Sequence, residues 1–154
     1  MTRMAQPILG THLYDTPRDG INGRGNDYVA KVMVVDDAAF MRLRASKVLQ
    51  DSGHEVLQAE NGADAVRQYA QHHPDAVLMD INLGEGPDGI DIAKKFKKKK
   101  DVPVIYLTGF ADSRTLEKAR GTFPAAFVTK PISETNLRIQ LELALYKEAA
   151  KKIK

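Results

Sequence analysis

The chain has 154 residues, 43% of them hydrophobic and 28% charged, with a formal net charge of +3 and no cysteine. That length suits one domain able to bury about two-thirds of its unfolded surface, and no apolar run approaches the roughly 20 residues of a membrane span. Disulfides and thiolate metal sites are excluded, no secretory-type stretch opens the N-terminus, and a reducing cytoplasm is compatible with the composition.

Residues 1–29, which include "YDTPRDGINGRGND", concentrate Gly, Pro, Asp and Asn without helical or strand period and are expected to form an arm or linker. A domain is expected over 30–150, and 151–154 read as a basic tail. The first apolar run, "KVMVV" (31–35), is a candidate strand that ends in the adjacent carboxylates Asp36 and Asp37. Met41, Ala45, Val48 and Leu49 then recur at helical spacing, with Gly53 as the left-handed stop. "EVLQA" (55–59) is the second strand. Asn61 caps a second helix carrying Ala65, Val66 and Tyr69, which must finish before Pro74 because His73 is pushed out of the α region. His72 and His73 diverge as neighbours on a helix and read as a surface helix end, not a metal site.

"DAVLM" (75–79) is the third strand and runs into Asp80. "DGIDIAKKF" starts a third helix, whose end "KKFKKKKD" (94–101) is strongly basic. With no aromatic interleaved beyond Phe96 and no helix-turn-helix or zinc pattern, that run reads as a solvated face, as does "KEAAKKIK" (147–154). "VPVIYL" (102–107) is the fourth strand, followed by Thr108 and Gly109; "DSRTLEKAR" is a fourth helix with Gly121 as its stop; "AAFVT" (125–129) is the fifth strand, followed by Lys130 and Pro131. Ser133 with Asn136 opens the last helix. Its stripe of Leu137, Leu141, Ala144 and Leu145 should face the sheet, while Ile139, Leu143 and Tyr146 form a second stripe that is either a partly wet surface or an interface.

Strict β/α alternation calls for a doubly wound five-stranded parallel sheet with helices on both faces. Ligands of such sheets bind outside the carboxyl ends of the strands where the strand order reverses. In a flavodoxin-like order 2-1-3-4-5, strands one and three are neighbours, so Asp36, Asp37 and Asp80 converge. At about 4 Å and an effective dielectric near 20, each like-charged pair costs on the order of 4 kcal/mol, so the cluster needs a cation. Hard oxygen ligands favour Mg²⁺, which often shares phosphate oxygens. Thr108 brings a hydroxyl to the same edge, Gly109 allows close backbone approach to an anion, and Lys130 brings an ammonium.

An acidic pair after strand one, an aspartate after strand three, a threonine after strand four and Lys-Pro after strand five together resemble the receiver domain of two-component response regulators, over residues 31 to about 148. The resemblance implies that Asp80 accepts a phosphoryl group from a sensor histidine kinase or phosphotransfer protein. It implies Mg²⁺ held by Asp37, Asp80 and the Asn82 backbone carbonyl, with Asp36 acting through water, and phosphoryl oxygens bound by Lys130, Thr108 and the Gly109 amide. Thr108 and Phe127 would form a switch, Asn82 and Phe110 would flank the path of attacking water, and helix four, strand five and helix five would report the state to a protein target or a second copy of the chain. Such a cytoplasmic module modifies itself without turning over a small substrate.

The loop "INLGEGPDG" after Asp80 is one residue longer than the family's usual Met-Pro stretch, which bears on the Asn82 ligand. No DNA-binding module is legible after residue 150, so output is expected through protein contact unless the chain is part of something longer. Two rivals stand beside this reading. A Mg²⁺-dependent phosphohydrolase of haloacid dehalogenase type wants Asp-x-Asp after strand one, where position 38 is alanine. A receiver-like interaction module that is never phosphorylated would keep the same residues.

Overall fold

The computed structural model describes residues 29–84, 86–109 and 112–153, with side chains as far as residue 151. The arm expected over 1–29 therefore lies outside the described residues, apart from Val29. Five strands, β1 (Lys31–Val35), β2 (Glu55–Ala59), β3 (Ala76–Asp80), β4 (Val104–Thr108) and β5 (Ala126–Thr129), alternate with five helices. These are α1 (Ala39–Asp51), α2 (Gly62–His72), α3 (Gly89–Lys99), α4 (Ser113–Arg120) and α5 (Glu134–Ile153). The strands form one parallel sheet in the order β2-β1-β3-β4-β5, the flavodoxin-like arrangement expected.

Strand boundaries differ slightly from the hydrophobic runs, for local reasons. Asp75 does not start β3; it clasps the first residue of β1, donating its N–H to the Lys31 carbonyl at 2.7 Å and accepting the Lys31 N–H on Oδ2 at 2.8 Å. Residue 80 instead continues the ladder opposite Leu107. Pro103 has no N–H to donate and so precedes β4, contributing only its carbonyl to Val77.

Alternation of side chains divides the core in two. On one face Val32, Val34, Leu78, Ile105, Leu107 and Val128 pack under α1 and α5, through Val48, Leu49, Leu137, Leu141 and Leu145. On the other, Met33, Val35, Val77, Met79, Val104 and Tyr106 pack under α2, α3 and α4, through Tyr69, Ile90, Ile92, Phe96 and Ala119. The inner stripe of α5 is thus buried as its spacing predicts, while Ile139, Leu143 and Tyr146 are 50%, 51% and 68% exposed.

Helix ends follow their capping residues. Asn61, Asp88 and Asp112 each accept an N–H three residues on, at 2.8, 2.9 and 2.8 Å, and the Ser133 hydroxyl takes that of Asn136 at 3.2 Å. Gly53 has the positive φ, 92°, expected of it, and His73 before Pro74 is left-handed at φ 50°. α4 stops at Gly121, as expected. Gly121 ends the helix in a right-handed conformation, φ −64°, and the left-handed residue comes two later, at Phe123 with φ 55°. His54 is buried: its Nδ1 accepts the Ala30 N–H at 3.0 Å, so the ring proton sits on Nε2 and is donated to Glu142 at 2.8 Å. His72 and His73 are exposed at the helix end.

Candidate functional site

At the carboxyl edge of the sheet, β1 and β3 lie side by side and deliver their terminal acids to one place. Carboxylate oxygens of Asp36, Asp37 and Asp80 lie within 4.8 Å of one another; Asp36 and Asp80 are buried and Asp37 is exposed. Lys130, carried in from the end of β5, puts Nζ 2.9 Å from Asp36 Oδ2 and 3.4 Å from Asp80 Oδ2. The first contact compensates charge but is not aligned as a hydrogen bond, so Asp36 Oδ2 remains a buried oxygen with no well-formed donor.

Backbone groups orient the acids. Asp36 Oδ1 accepts the Ala38 N–H at 2.9 Å, and Asp80 Oδ1 accepts the Asn82 N–H at 3.2 Å. The Asn82 side-chain oxygen is itself engaged, accepting the Gly84 N–H at 3.2 Å. Gly84 is in a left-handed turn, φ 81°, and a Cβ there would stand 3.2 Å from Asp37 Oδ2, so the loop after Asp80 runs close over the acids. Thr108 is buried at the end of β4, and its carbonyl accepts the Lys130 N–H at 2.9 Å. A Cβ on Gly109 would meet only the Lys130 stem, at 3.9 Å, so packing within the chain does not demand glycine there. Phe127 is half-buried, its ring tilted 5.7 Å from that of Tyr106. Phe110 lies outside the described residues.

The charge balance is lopsided. Burial, then the neighbouring Asp36 carboxylate, push the Asp80 carboxyl up to about 6, against the opposing pull of Lys130 and the Asn82 N–H. Burial alone would depress the Lys130 ammonium, but the close carboxylates of Asp36 and Asp80 outweigh that and hold it above its ordinary value. Three carboxylates outnumber the one ammonium, their oxygens are the donors a hard divalent cation takes, and the residues present fit Mg²⁺.

A stability prediction follows from Asp80. Its folded pKa, about 6, exceeds an unfolded value of about 3.9, so the folded state holds the proton more tightly. That advantage is complete below pH about 4 and is lost as pH rises through about 6, leaving the ionised group a net liability at neutral pH. In the absence of divalent ions, Asp80→Asn should therefore be more stable than the wild type at pH 7–8, by about 1–2 kcal/mol once solvent screening at this open edge is allowed for. The gain should vanish near pH 4. Urea midpoints for the two proteins across this range check it; coincident curves would refute the crowding.

Three supporting residues escape a reading of strand ends. Arg42, on the first turns of α1, donates Nη1 to the Asp36 carbonyl at 2.7 Å and Nε to Gln58 Oε1 at 3.2 Å, pinning the peptide between the paired acids. Arg44 Nη2 holds the Ile132 carbonyl at 3.1 Å, in the loop after Lys130. Tyr106 is wholly buried, its hydroxyl 2.8 Å from Thr122 Oγ1. Arg42 follows Asp36 by six residues, one turn into a helix that must return past its own strand end; that spacing is the one signal for it in the sequence.

An open parallel sheet with an acidic cluster and a lysine where its strand order reverses is a flavodoxin-like fold with its polar site in the usual place. Residues 32–142 match the family described as "Response regulator receiver domain". The chain belongs to that family, the receiver domains of two-component systems. Among its relatives, Protein PilH of Pseudomonas aeruginosa is 33% identical over 114 residues, covering 71% of this chain and 92% of PilH. The chemotaxis protein CheY of Bacillus subtilis is 48% identical over 69 residues, covering 44% of this chain and 57% of CheY. The transcriptional regulatory protein PdtaR of Mycobacterium tuberculosis is 33% identical over 116 residues, covering 75% of this chain but 56% of PdtaR, so the chain spans about half the length of that relative. Among solved structures, the signal receiver domain of a modulated diguanylate cyclase from Desulfovibrio desulfuricans G20 superposes with a TM-score of 0.76 at 27% identity, covering 80% of this chain and 98% of that one.

Proposed function

We propose that the chain is a phosphorylation-driven receiver in which Asp80 is the phosphoacceptor. The observation that carries this reading is the placement of Lys130 Nζ 2.9 and 3.4 Å from Asp36 and Asp80, inside a cluster of three carboxylates. An Asp80 carboxylate oxygen attacks the phosphorus of a phosphohistidine on a sensor kinase or phosphotransfer protein. The new O–P bond forms as the P–N bond breaks, and the imidazole leaves with the electron pair and takes a proton. With a pKa near 6, Asp80 is mostly ionised at neutral pH and available as a nucleophile.

Asp37, Asp80 and the Asn82 carbonyl would hold Mg²⁺, with Asp36 acting through water; the ion would neutralise charge on the transferred oxygens. Lys130 exchanges its carboxylate contacts for a phosphoryl oxygen, while the Thr108 hydroxyl and Gly109 N–H bind the others. Drawing Thr108 toward the phosphoryl group changes the packing that Phe127 meets. The α4–β5–α5 surface, with Ile139, Leu143 and Tyr146 exposed on α5, then presents a different face to a target protein or a second copy. Asn82 and Phe110 would govern access of hydrolytic water. Among the described residues no helix is long and apolar enough to cross a membrane, which accords with a cytoplasmic site of action.

Incubation with acetyl phosphate and Mg²⁺, followed by intact mass, tests the reading. The wild type should gain a single phosphoryl group, and neither Asp80→Asn nor EDTA-treated wild type should gain any. Repeated turnover of acetyl phosphate with no adduct would mark a hydrolase instead, and no reaction at all a binding module.

A further inference from the structure

The opposite edge of the sheet, where the strands begin, carries a feature unconnected with the acidic site. Phe123 is 84% exposed although it is a large aromatic, and it adopts φ 55°, a conformation that disfavours every residue with a Cβ. Its ring contributes nothing to either core cluster, so glycine would satisfy this turn better on both counts. The turn is held in place: Lys97 Nζ donates to the Phe123 carbonyl at 3.3 Å and to Asp101 Oδ1 at 3.1 Å. An exposed aromatic held in a strained, braced turn points to use by a ligand.

The surroundings say what kind. Phe123 stands between two clefts, of about 510 Å³ on the α3 side and about 260 Å³ on the α5 side. Lys94 and Lys98, one helical turn apart, line the first, and Lys147 and Lys151 line the second. Among the described residues Lys94, Lys98 and Lys147 make no ion pair, whereas Asp101, the acid common to both clefts, is engaged by Lys97 and Lys151, and Glu148, the second acid of the α5-side cleft, pairs with Lys151, which leaves Lys147 as the surplus charge there. The edge therefore has surplus positive charge on both sides of a free aromatic face. Phe96, the aromatic inside the lysine run, is buried, so the aromatic that completes the patch lies some way along the sequence and is invisible from that run.

We propose that this edge binds a segment of single-stranded nucleic acid, with one base stacked on Phe123 and flanking phosphates on Lys94, Lys98 and Lys147. A base is a flat ring that joins apolar stacking to a chain of anions, which matches a lone ring among lysines. A carboxylate-bearing peptide would favour the planar fork of arginine, and none lines either cleft. A bilayer surface would leave two concave clefts unfilled. The lysines come from two helices and line both clefts, which favours a polymer able to reach the two.

Fluorescence anisotropy with a labelled 12-residue oligothymidylate at low salt tests this. Binding is expected to weaken about tenfold in Phe123→Ala and Phe123→Gly, to survive in Phe123→Tyr, to weaken in the Lys94→Glu/Lys98→Glu double variant, and to fall steeply with added salt. Phe123→Gly should melt no lower than the wild type, which separates loss of binding from loss of fold. No binding at low salt, equal binding by Phe123→Ala, or equal displacement by heparin would overturn the proposal. So would ATP competing as tightly as the oligomer, which marks a mononucleotide cleft. Sedimentation with phosphatidylserine vesicles that depends on Phe123, without oligomer binding, would assign the edge to a membrane instead.

Discussion

Gly89→Ala should lower stability by about 2–4 kcal/mol and displace the acidic site with it. Gly89 is the first residue of α3, and a Cβ there would stand 2.0 Å from the Asp80 carbonyl oxygen, 2.8 Å from Met79 Cγ and 3.0 Å from the Asp80 carbonyl carbon. Two of those three atoms are backbone, which cannot rotate away as a flexible side chain would. The strand that carries them is held between β1 and β4, so it cannot retreat sideways. The helix is equally constrained, since Gly89 donates its own N–H to the Ile81 carbonyl at 2.8 Å and Ile90 is buried behind it. Either α3 lifts from the sheet or the end of β3 shifts, and the second outcome moves Asp80 away from Lys130. Urea unfolding and phosphorylation by acetyl phosphate should both report the damage. A variant within about 0.5 kcal/mol of the wild type, below the range for overpacking a core, would show that this approach of helix to strand is looser than described.

Lys130→Met should move two quantities in opposite directions. Methionine keeps most of the apolar stem but leaves Asp36 and Asp80 without their ammonium, and removing one member of a buried ion pair costs about 3–5 kcal/mol. Asp80 softens the loss by taking a proton, so a fall of about 2–3 kcal/mol in metal-free stability at pH 8 is expected. The raised pKa of Lys130 means that its stabilising contribution is complete below about 10.4, the ordinary lysine value, and lost only as pH rises through its higher folded value. The wild-type contribution is therefore intact at pH 8. Mg²⁺ affinity should rise at the same time, by at least about tenfold, because a cation 2.9 and 3.4 Å from two carboxylates of the cluster competes electrostatically with any metal. Isothermal calorimetry with Mg²⁺ and urea unfolding in EDTA measure the two. Unchanged metal affinity would place Lys130 outside the electrostatics of the metal site.

Which parts of this architecture can be read from the residues depends on the range of the forces involved. The parallel doubly wound sheet follows from alternation of β-branched runs with amphipathic segments, and, given a flavodoxin-like strand order, so does the meeting of residues 36, 37 and 80, because each lies at a strand end. Helix starts are legible for the same reason: Asn61, Asp88 and Asp112 act on an amide three residues away. Contacts that join distant segments are not legible in this way. Gly89 is an ordinary glycine at a helix start until β3 is laid against it, and Tyr106 is one more aromatic in a strand until its hydroxyl meets Thr122. The helix stop at Gly121 is legible from local preference, whereas the left-handed residue two positions later is not; the bonds from Phe123 N–H to the Arg120 carbonyl and from Lys97 to the Phe123 carbonyl accompany it.

Parity along the two outer strands has a further consequence. Tyr106 and Thr108 are two apart on β4 and share a side of the sheet, and Tyr106 is paired with Phe127 beneath α3 and α4. Ala126 and Val128 alternate with Phe127 and belong to the side beneath α1 and α5, and Lys130, one residue past the strand, falls on the same alternation. An anion gripped by a threonine from one leaf and a lysine from the other would tug both halves of the sandwich at once, so a single covalent event could load two separately packed layers.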